Sequence, residues 1–323
     1  MNNDHAIIVP METYKFAFDR LAEPAVTARS GDTLVFFTED ANVSYITRES
    51  DVVTDFDKMY TACGGCNPIS GPVYIEDAKK GDYLAVDILD VKPGEERGGG
   101  YSAIYPGFGA LTYAGSIQDE YEARTKIVAI EGQEGVMKTV DGKKVRFDLN
   151  PFIGTIGVAP IEDRRTSQIH GKDYGGNMDC PDVKAGSTVV FRCNHDGALL
   201  SIGDIHGAQG DGEITGCALE CRGEVKVRVR VLKSREQAEW VSWPQCNSET
   251  FIGALICGEG MNLSDQIRIG YTELVHRMER YYGFDKYDAY TLLNFKGQVR
   301  VGPVFLNSNA CVVKIDRKYL VKQ

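Results

Sequence analysis

The densest collection of reactive side chains lies between Gly197 and Glu220, in the run GALLSIGDIHGAQGDGEITGCALE. Asp204, His206, Gln209, Asp211 and Glu213 follow one another there, interleaved with Gly203, Gly207, Gly210 and Gly212. Residues i and i+2 of an extended strand share a face, so Asp204 and His206 would present a carboxylate and an imidazole side by side. Such a pair suits a divalent metal ion, zinc first, with manganese or calcium as alternatives. The glycines let the chain bend sharply and return Glu213 to the same space, as a further ligand or as the general base on a water activated there. The bland alternative is an acidic surface loop with a stray histidine. Ordering a charged, Gly-rich loop between two apolar runs costs entropy, and stability alone does not explain it.

Two further stretches carry candidate chemistry. In Asp173-Tyr174-Gly175-Gly176-Asn177-Met178-Asp179-Cys180-Pro181, the glycines suggest backbone N–H groups exposed at a tight turn. Asn177 can hydrogen-bond a substrate carbonyl, and Asp179 can ligate a metal or orient another group. Asn67-Pro68-Ile69-Ser70-Gly71-Pro72 makes a stiff entry into a strand, with Asn67 and Ser70 as its polar atoms. Taken alone, the first stretch reads more readily as a turn and the second as a structural connection. Cys63-Gly64-Gly65-Cys66 is a lone C-x-x-C, and structural zinc would need a second such pair. Cys180, beside Asp179, is a candidate nucleophile. The other cysteines sit mainly in apolar runs and read as core.

The elements that position these residues read mostly as strands. Turn signals precede apolar runs at Thr33–Phe37, Val73–Ile75, Tyr83–Leu89 and Thr188–Phe191. In Glu224–Val231, Val225, Val227, Val229 and Val231 alternate with Lys226, Arg228 and Arg230, the pattern of a half-buried strand. One helix is expected near the end, capped by Ser264, with Ile267, Tyr271, Leu274, Val275 and Met278 on one stripe, and ending near Gly283. A second, over Phe284–Leu293, has Asp285 as its cap. Three parts are expected: a β-rich 1–95, a less regular 96–165, and a β-rich 166–323 that carries the site and the closing helices.

Composition bounds the partners. The chain has 323 residues, 43% hydrophobic and 25% charged, as in ordinary globular proteins. Its 36 Lys+Arg against 46 Asp+Glu give a net charge of −10, which disfavours nucleic acid and anionic membrane surfaces. No run approaches the roughly 18–20 apolar residues that span a bilayer. Met1–Pro10 lacks the basic and apolar regions of a signal peptide, and the nine cysteines are read as free thiols, so a cytoplasmic location is expected.

These segments together resemble the acetamidase/formamidase family. The resemblance rests on SGDTLVFFTEDA (30–41), NPISGPVYIEDAKKGDYLAVDI (67–88), GTIGVAP (154–160), GGNMD (175–179) and the 197–220 run, in the family's order and over most of the chain. It implies a mainly β fold with a smaller α+β part, sandwich- or barrel-like, and hydrolysis of short primary amides to a carboxylate and ammonia. It also implies a divalent metal near Asp204 and His206, with Glu39 and Asp40 lining the same cavity and Glu39 a further ligand. The catalytic set is then Glu213, Asn177 and Asp179, and the substrate contacts are Asn67, Gly176 and Gln209. A small amide is the expected partner, and a homodimer the expected assembly. Departures from the pattern at 192–196, Asn67, Ile205 and Gly297 bear on which amide is taken. Two other readings remain open: a metal-independent amidase with Cys180 as nucleophile and Glu213 as base, and a β-sandwich module that binds without turnover.

Overall fold

A computed structural model describes residues 6–94, 99–113, 122–305 and 308–320. Two large sheets dominate it. The first runs in the order Ile7–Val9, Thr33–Thr38, Gly223–Leu232, Tyr83–Pro93, Ser187–Arg192, Gln245–Ser248, Phe251–Cys257, Ser308–Asp316 and Gln298–Phe305. The second runs Lys144–Asp148, Glu134–Lys138, Arg124–Glu131, Gly99–Ile104, Glu220–Cys221, Leu200–His206, Phe152–Gly157 and Gly175–Asn177. Ile69–Ile75 also pairs with Leu200–His206, and Val26–Ala28 pairs with Ile69–Ile75. Residues 99–157 supply a run of antiparallel strands to this second sheet. The linker expected at 92–100 lies partly outside the described residues, and Lys92 and Pro93 still belong to a strand.

The sheets bury one face against each other, which makes the expected sandwich. Leu34, Phe36, Leu84, Val86, Ile88, Val225, Val227 and Val229 come from the first, and Ile69, Val73, Ile153, Ile156, Leu200, Ile202 and Ile205 from the second. Alternation drives this: Val225, Val227 and Val229 are fully buried while Lys226 and Arg228 between them are exposed. Residues 252–257 and 310–313 of the strands Phe251–Cys257 and Ser308–Asp316 are buried on both sides. Leu255, Cys257, Ala310 and Val312 face the sandwich core, whereas Ile252, Ile256, Cys311, Val313 and Ile315 face the helices. Strands covered on both faces read as near-continuous apolar runs.

The helix Leu263–Tyr282 lays Leu274 and Met278 on that outer face, with Ile267, Tyr271 and Val275 beside them. Its cap is Asn262, whose side chain accepts from Asp265 N at 2.9 Å, so the expected Ser264 falls inside the first turn. Gly283, at φ 75°, closes it, as expected. Asp285 caps Lys286–Lys296 through Tyr287 N at 2.8 Å.

Candidate functional site

The site forms where the strand Leu200–His206 changes partners. On one edge it pairs with Phe152–Gly157 throughout. On the other it pairs first with Ile69–Ile75 and then with Glu220–Cys221. Asp204 sits at this change and leaves extended geometry, with φ 56°. His206 follows, directly opposite Glu220 in register. Asp204 and His206 nevertheless converge as their spacing suggests: His206 Nε2 is 3.4 Å from Asp204 Oδ1.

Two more carboxylates reach the same point. His206 Nε2 lies 3.4 Å from Glu220 Oε2 and 3.9 Å from Asp179 Oδ1. Asp179 arrives on the turn after Gly175–Asn177, at φ 44°, with Asp179 N donating to the Gly154 carbonyl at 3.1 Å. Glu213 arrives on the loop after His206, at φ 43°. That loop is pinned to Gln298–Phe305 by Val304 N donating to the Gly212 carbonyl (3.1 Å) and by Asp211 accepting from Val301 N (3.2 Å) and Arg300 Nη1 (3.1 Å). Close approach explains Gly154: a Cβ there would stand 2.7 Å from Asp179 Oδ1 and 2.9 Å from Asp204 Oδ2.

The cluster is buried and electrically unbalanced. Asp179, Asp204, His206, Glu213 and Glu220 are all nearly inaccessible. Asp179 Oδ1, Asp204 Oδ1, Glu213 Oε2 and Glu220 Oε2 are buried with no hydrogen-bond partner. Burial, and then Asp179 and the neighbouring carboxylates, push the Glu213 carboxyl well above its ordinary range. Burial opposes charge on His206, but Glu220 and Asp204 outweigh it and raise the imidazole. Burial also works against ionised Asp204, yet His206 and Thr155 hold its carboxyl low. Buried acceptors without donors are costly, and a cation removes that cost. Asp179, Asp204 and His206, and likewise His206, Glu213 and Glu220, can each offer ligand atoms within 4.8 Å of one another. One imidazole and several carboxylates make a donor set that suits a divalent ion.

A polar frame holds this cluster. Asp204 Oδ2 accepts from Asn67 Nδ2 (2.8 Å), with the Thr155 hydroxyl 3.2 Å away. Asn177 Oδ1 accepts from Thr155 Oγ1 (2.7 Å) and Asn67 Nδ2 (3.2 Å). Asn67 and Asn177, far apart in sequence, therefore meet beside the acids. Both line a cavity of about 250 Å³ that also reaches His170, Asp179, Asp204, His206, Glu213 and Glu220. Its other wall is aromatic: Phe108 lies 5.8 Å from Phe56, 6.0 Å from Tyr105 and 4.8 Å from Phe305, centroid to centroid.

Four expected residues sit elsewhere, among them Asp40, which lines a different, smaller cavity. Glu39 does not join the acids around His206. Its carboxylate is gripped by Arg222 Nε at 2.6 Å and Arg222 Nη2 at 2.5 Å, with Ser44 Oγ at 2.8 Å. Burial would raise that carboxyl, but Arg222 and Ser44 hold it low. Glu220 occupies the place expected of Glu39. Gln209 stands behind His206 and not against the cavity, its Oε1 2.9 Å from Nδ1 and its Nε2 donating to the Asp179 carbonyl at 2.7 Å. Gly176 lies in the ladder opposite Ile156, too closely packed on the Ile169 carbonyl to admit a side chain. The adjacent Asn177 N–H is spent on Ile169 O. The cysteine alternative fares poorly on geometry: Cys180 is fully buried in the sandwich core, and burial drives its thiol far up. Cys66, on the cavity wall, is pushed up to about 12 by burial.

Fold and site together define a β-sandwich protein with a small cavity in whose wall buried carboxylates gather around His206. The chain belongs to the acetamidase/formamidase family, whose model matches residues 19–168 and 161–315. Among solved structures it is similar to an acetamidase from Bacillus halodurans, at 30% identity and TM-score 0.84, covering 97% of this chain and 98% of that one. An acetamidase from Yersinia enterocolitica matches at 27% identity and TM-score 0.86, covering 99% and 94%. The acetamidase of Mycolicibacterium smegmatis is 28% identical over 224 residues, 52% of this chain and 54% of that protein. The chain thus spans about half the length of the curated relatives it matches. Among the described residues, no helix is long and apolar enough to cross a membrane.

Proposed function

We propose that this protein hydrolyses the C–N bond of short primary amides, releasing ammonia and a carboxylate, at a divalent-cation site made by Asp204, His206, Asp179 and Glu220. The observation that carries this reading is the convergence of buried, unpartnered carboxylate oxygens on His206 in the wall of a small cavity. The similarity to proteins named acetamidase supports the amide as substrate. A bound divalent ion, zinc by preference, would supply the Lewis acidity that a poorly electrophilic amide carbonyl needs.

The chain's own groups do the rest. Glu213, made basic by burial and by its acidic neighbours, takes a proton from the attacking water and returns it to the departing nitrogen. Asn177 has both acceptor contacts of Oδ1 filled by Thr155 and Asn67, which leaves its amide N–H edge for the developing oxyanion. Asn67 fixes Asn177 and Asp204 at once. The aromatic wall takes the acyl group and excludes water.

The test is ammonia release from formamide, acetamide and propionamide by the purified protein, before and after chelation and with zinc, manganese or calcium restored. Release that vanishes with the metal and returns with it is expected. Release that survives complete metal removal overturns the cation site, and saturable amide binding without release favours a binding module.

A further inference from the structure

His170 lies outside the acidic cluster but lines the same cavity, beside Asn177. Its side chain is buried, with 4% exposure, and its two ring nitrogens are in different positions. Nδ1 is hydrogen-bonded to the Asn177 carbonyl oxygen, while Nε2 is buried with no partner. A carbonyl oxygen can only accept, so the ring hydrogen is on Nδ1 and Nε2 carries a bare lone pair. The backbone leaves little room for another arrangement, because His170 bridges to Gly176 and the Asn177 N–H donates to the neighbouring Ile169 carbonyl. A buried acceptor without a donor needs an explanation; the His170 ring lies between the substrate cavity and a second one beside Tyr174 and Trp243, and a donor on a substrate held in the first would meet that need.

Resting on the amide reading above, we infer that His170 Nε2 accepts a hydrogen bond from the substrate's amide N–H, and so selects amides over esters of the same acyl group. An ester places an oxygen lone pair where the amide places N–H, leaving the imidazole acceptor unsatisfied. A site built to pair with a polar hydrogen rejects an analogue that lacks it far more strongly than it rejects a change in apolar size. The same lone pair opposes the carboxylate product. Burial depresses the imidazole to about 4, so the ring stays neutral at neutral pH. His170 therefore binds the nitrogen and does not protonate it.

Two variants separate this role from a structural one. His170→Asn keeps a donor for the Asn177 carbonyl and removes the acceptor at the Nε2 position. His170→Gln restores an acceptor there. Steady-state kinetics on metal-loaded full-length protein would compare acetamide with ethyl acetate. His170→Asn is expected to lower kcat/KM for the amide about ten- to a hundredfold, mainly through KM, and to leave the ester unchanged. His170→Gln is expected to recover most of the loss. An equal fall for both substrates, or no fall, overturns the inference. Nitrogen NMR of the imidazole reads the same contact without turnover. Acetamide, and not ethyl acetate, should shift the unprotonated Nε2 resonance. If the wild-type protein releases no ammonia from any amide, the proposed activity fails and this spectrum alone decides: an amide-specific shift keeps His170 as an amide-binding residue, and no shift removes it.

Discussion

His206 Nδ1 and Gln209 Oε1 lie 2.9 Å apart, and this contact decides which nitrogen of the imidazole faces the acids. The amide oxygen accepts from Nδ1–H, so Nε2 is the atom turned toward Asp204 and Glu220. Gln209 also ties His206 to Asp179 through the Asp179 carbonyl. Gln209→Leu should weaken metal binding about ten- to a hundredfold, with little change in KM. Metal titration followed by fluorescence or calorimetry checks this. A variant that binds metal like the wild type would remove Gln209 from the positioning role.

Gly154→Ala should damage the site more than its size suggests. The added methyl would contact Asp179 Oδ1 and Asp204 Oδ2 at under 3 Å. Both carboxylates have to shift, together with the Asp204 backbone carbonyl at 2.7 Å, and both carboxylates face the same histidine. The expected outcome is a folded protein by circular dichroism that retains no stoichiometric metal by elemental analysis.

Glu213→Gln keeps size and hydrogen-bonding capacity but removes the base. Turnover of acetamide should fall by about a hundred- to ten-thousandfold. Metal content should survive, since Asp179, Asp204, His206 and Glu220 remain. Turnover close to the wild-type value would assign the proton transfer to another group.

His170 also makes a prediction about pH and stability. Its ordinary value of 6.5 falls to about 4 in the folded chain because burial disfavours the charged ring. Between those values the unfolded chain binds the extra proton and the folded chain does not, so stability rises with pH across this window. The contribution is fully present above about 6.5 and is lost as pH falls toward 4, on the order of 3 kcal/mol in total. Urea unfolding at several pH values between 4 and 7 should show a flatter profile for His170→Asn than for the wild type. Parallel profiles would mean that the ring is not held neutral.

Much of the fold is legible in the sequence because period-2 alternation is a local signal. Val225, Val227 and Val229 announce their own burial, and Gly283 and Asp285 announce helix ends. The Asp204–His206 pair is legible from its spacing, although Asp204 reaches His206 from a left-handed backbone and not from the extended strand that spacing implies. Glu220 is harder to see. It closes the same run, but it follows Ala218 and Leu219 as one more residue of an apolar strand, and only the register that sets it opposite His206 reveals it. Glu39 shows the reverse problem. The family resemblance implies it as a ligand, but Arg222, distant in the chain, holds it instead. Gln209 is close to the right residues, yet which side of His206 it takes depends on where the Asp179 carbonyl lies. His170, close in sequence to Gly175–Asp179, reads as a metal ligand, a proton shuttle or, more readily, a bland residue, and only the fold sets its Nδ1 on the Asn177 carbonyl.

Asp179, Asp204 and Glu213 all hold a left-handed backbone that L-residues with large side chains adopt only at a cost. The backbone strain falls chiefly on Glu213, because aspartate visits this region much as asparagine does; at Asp179 and Asp204 the cost is the buried, unpartnered carboxylate oxygen. The two sheets therefore support a centre that the chain would be more stable without. Heat-resistant variants selected without regard to activity should collect neutral residues at these three positions, and the sturdiest sandwiches recovered that way should be inert.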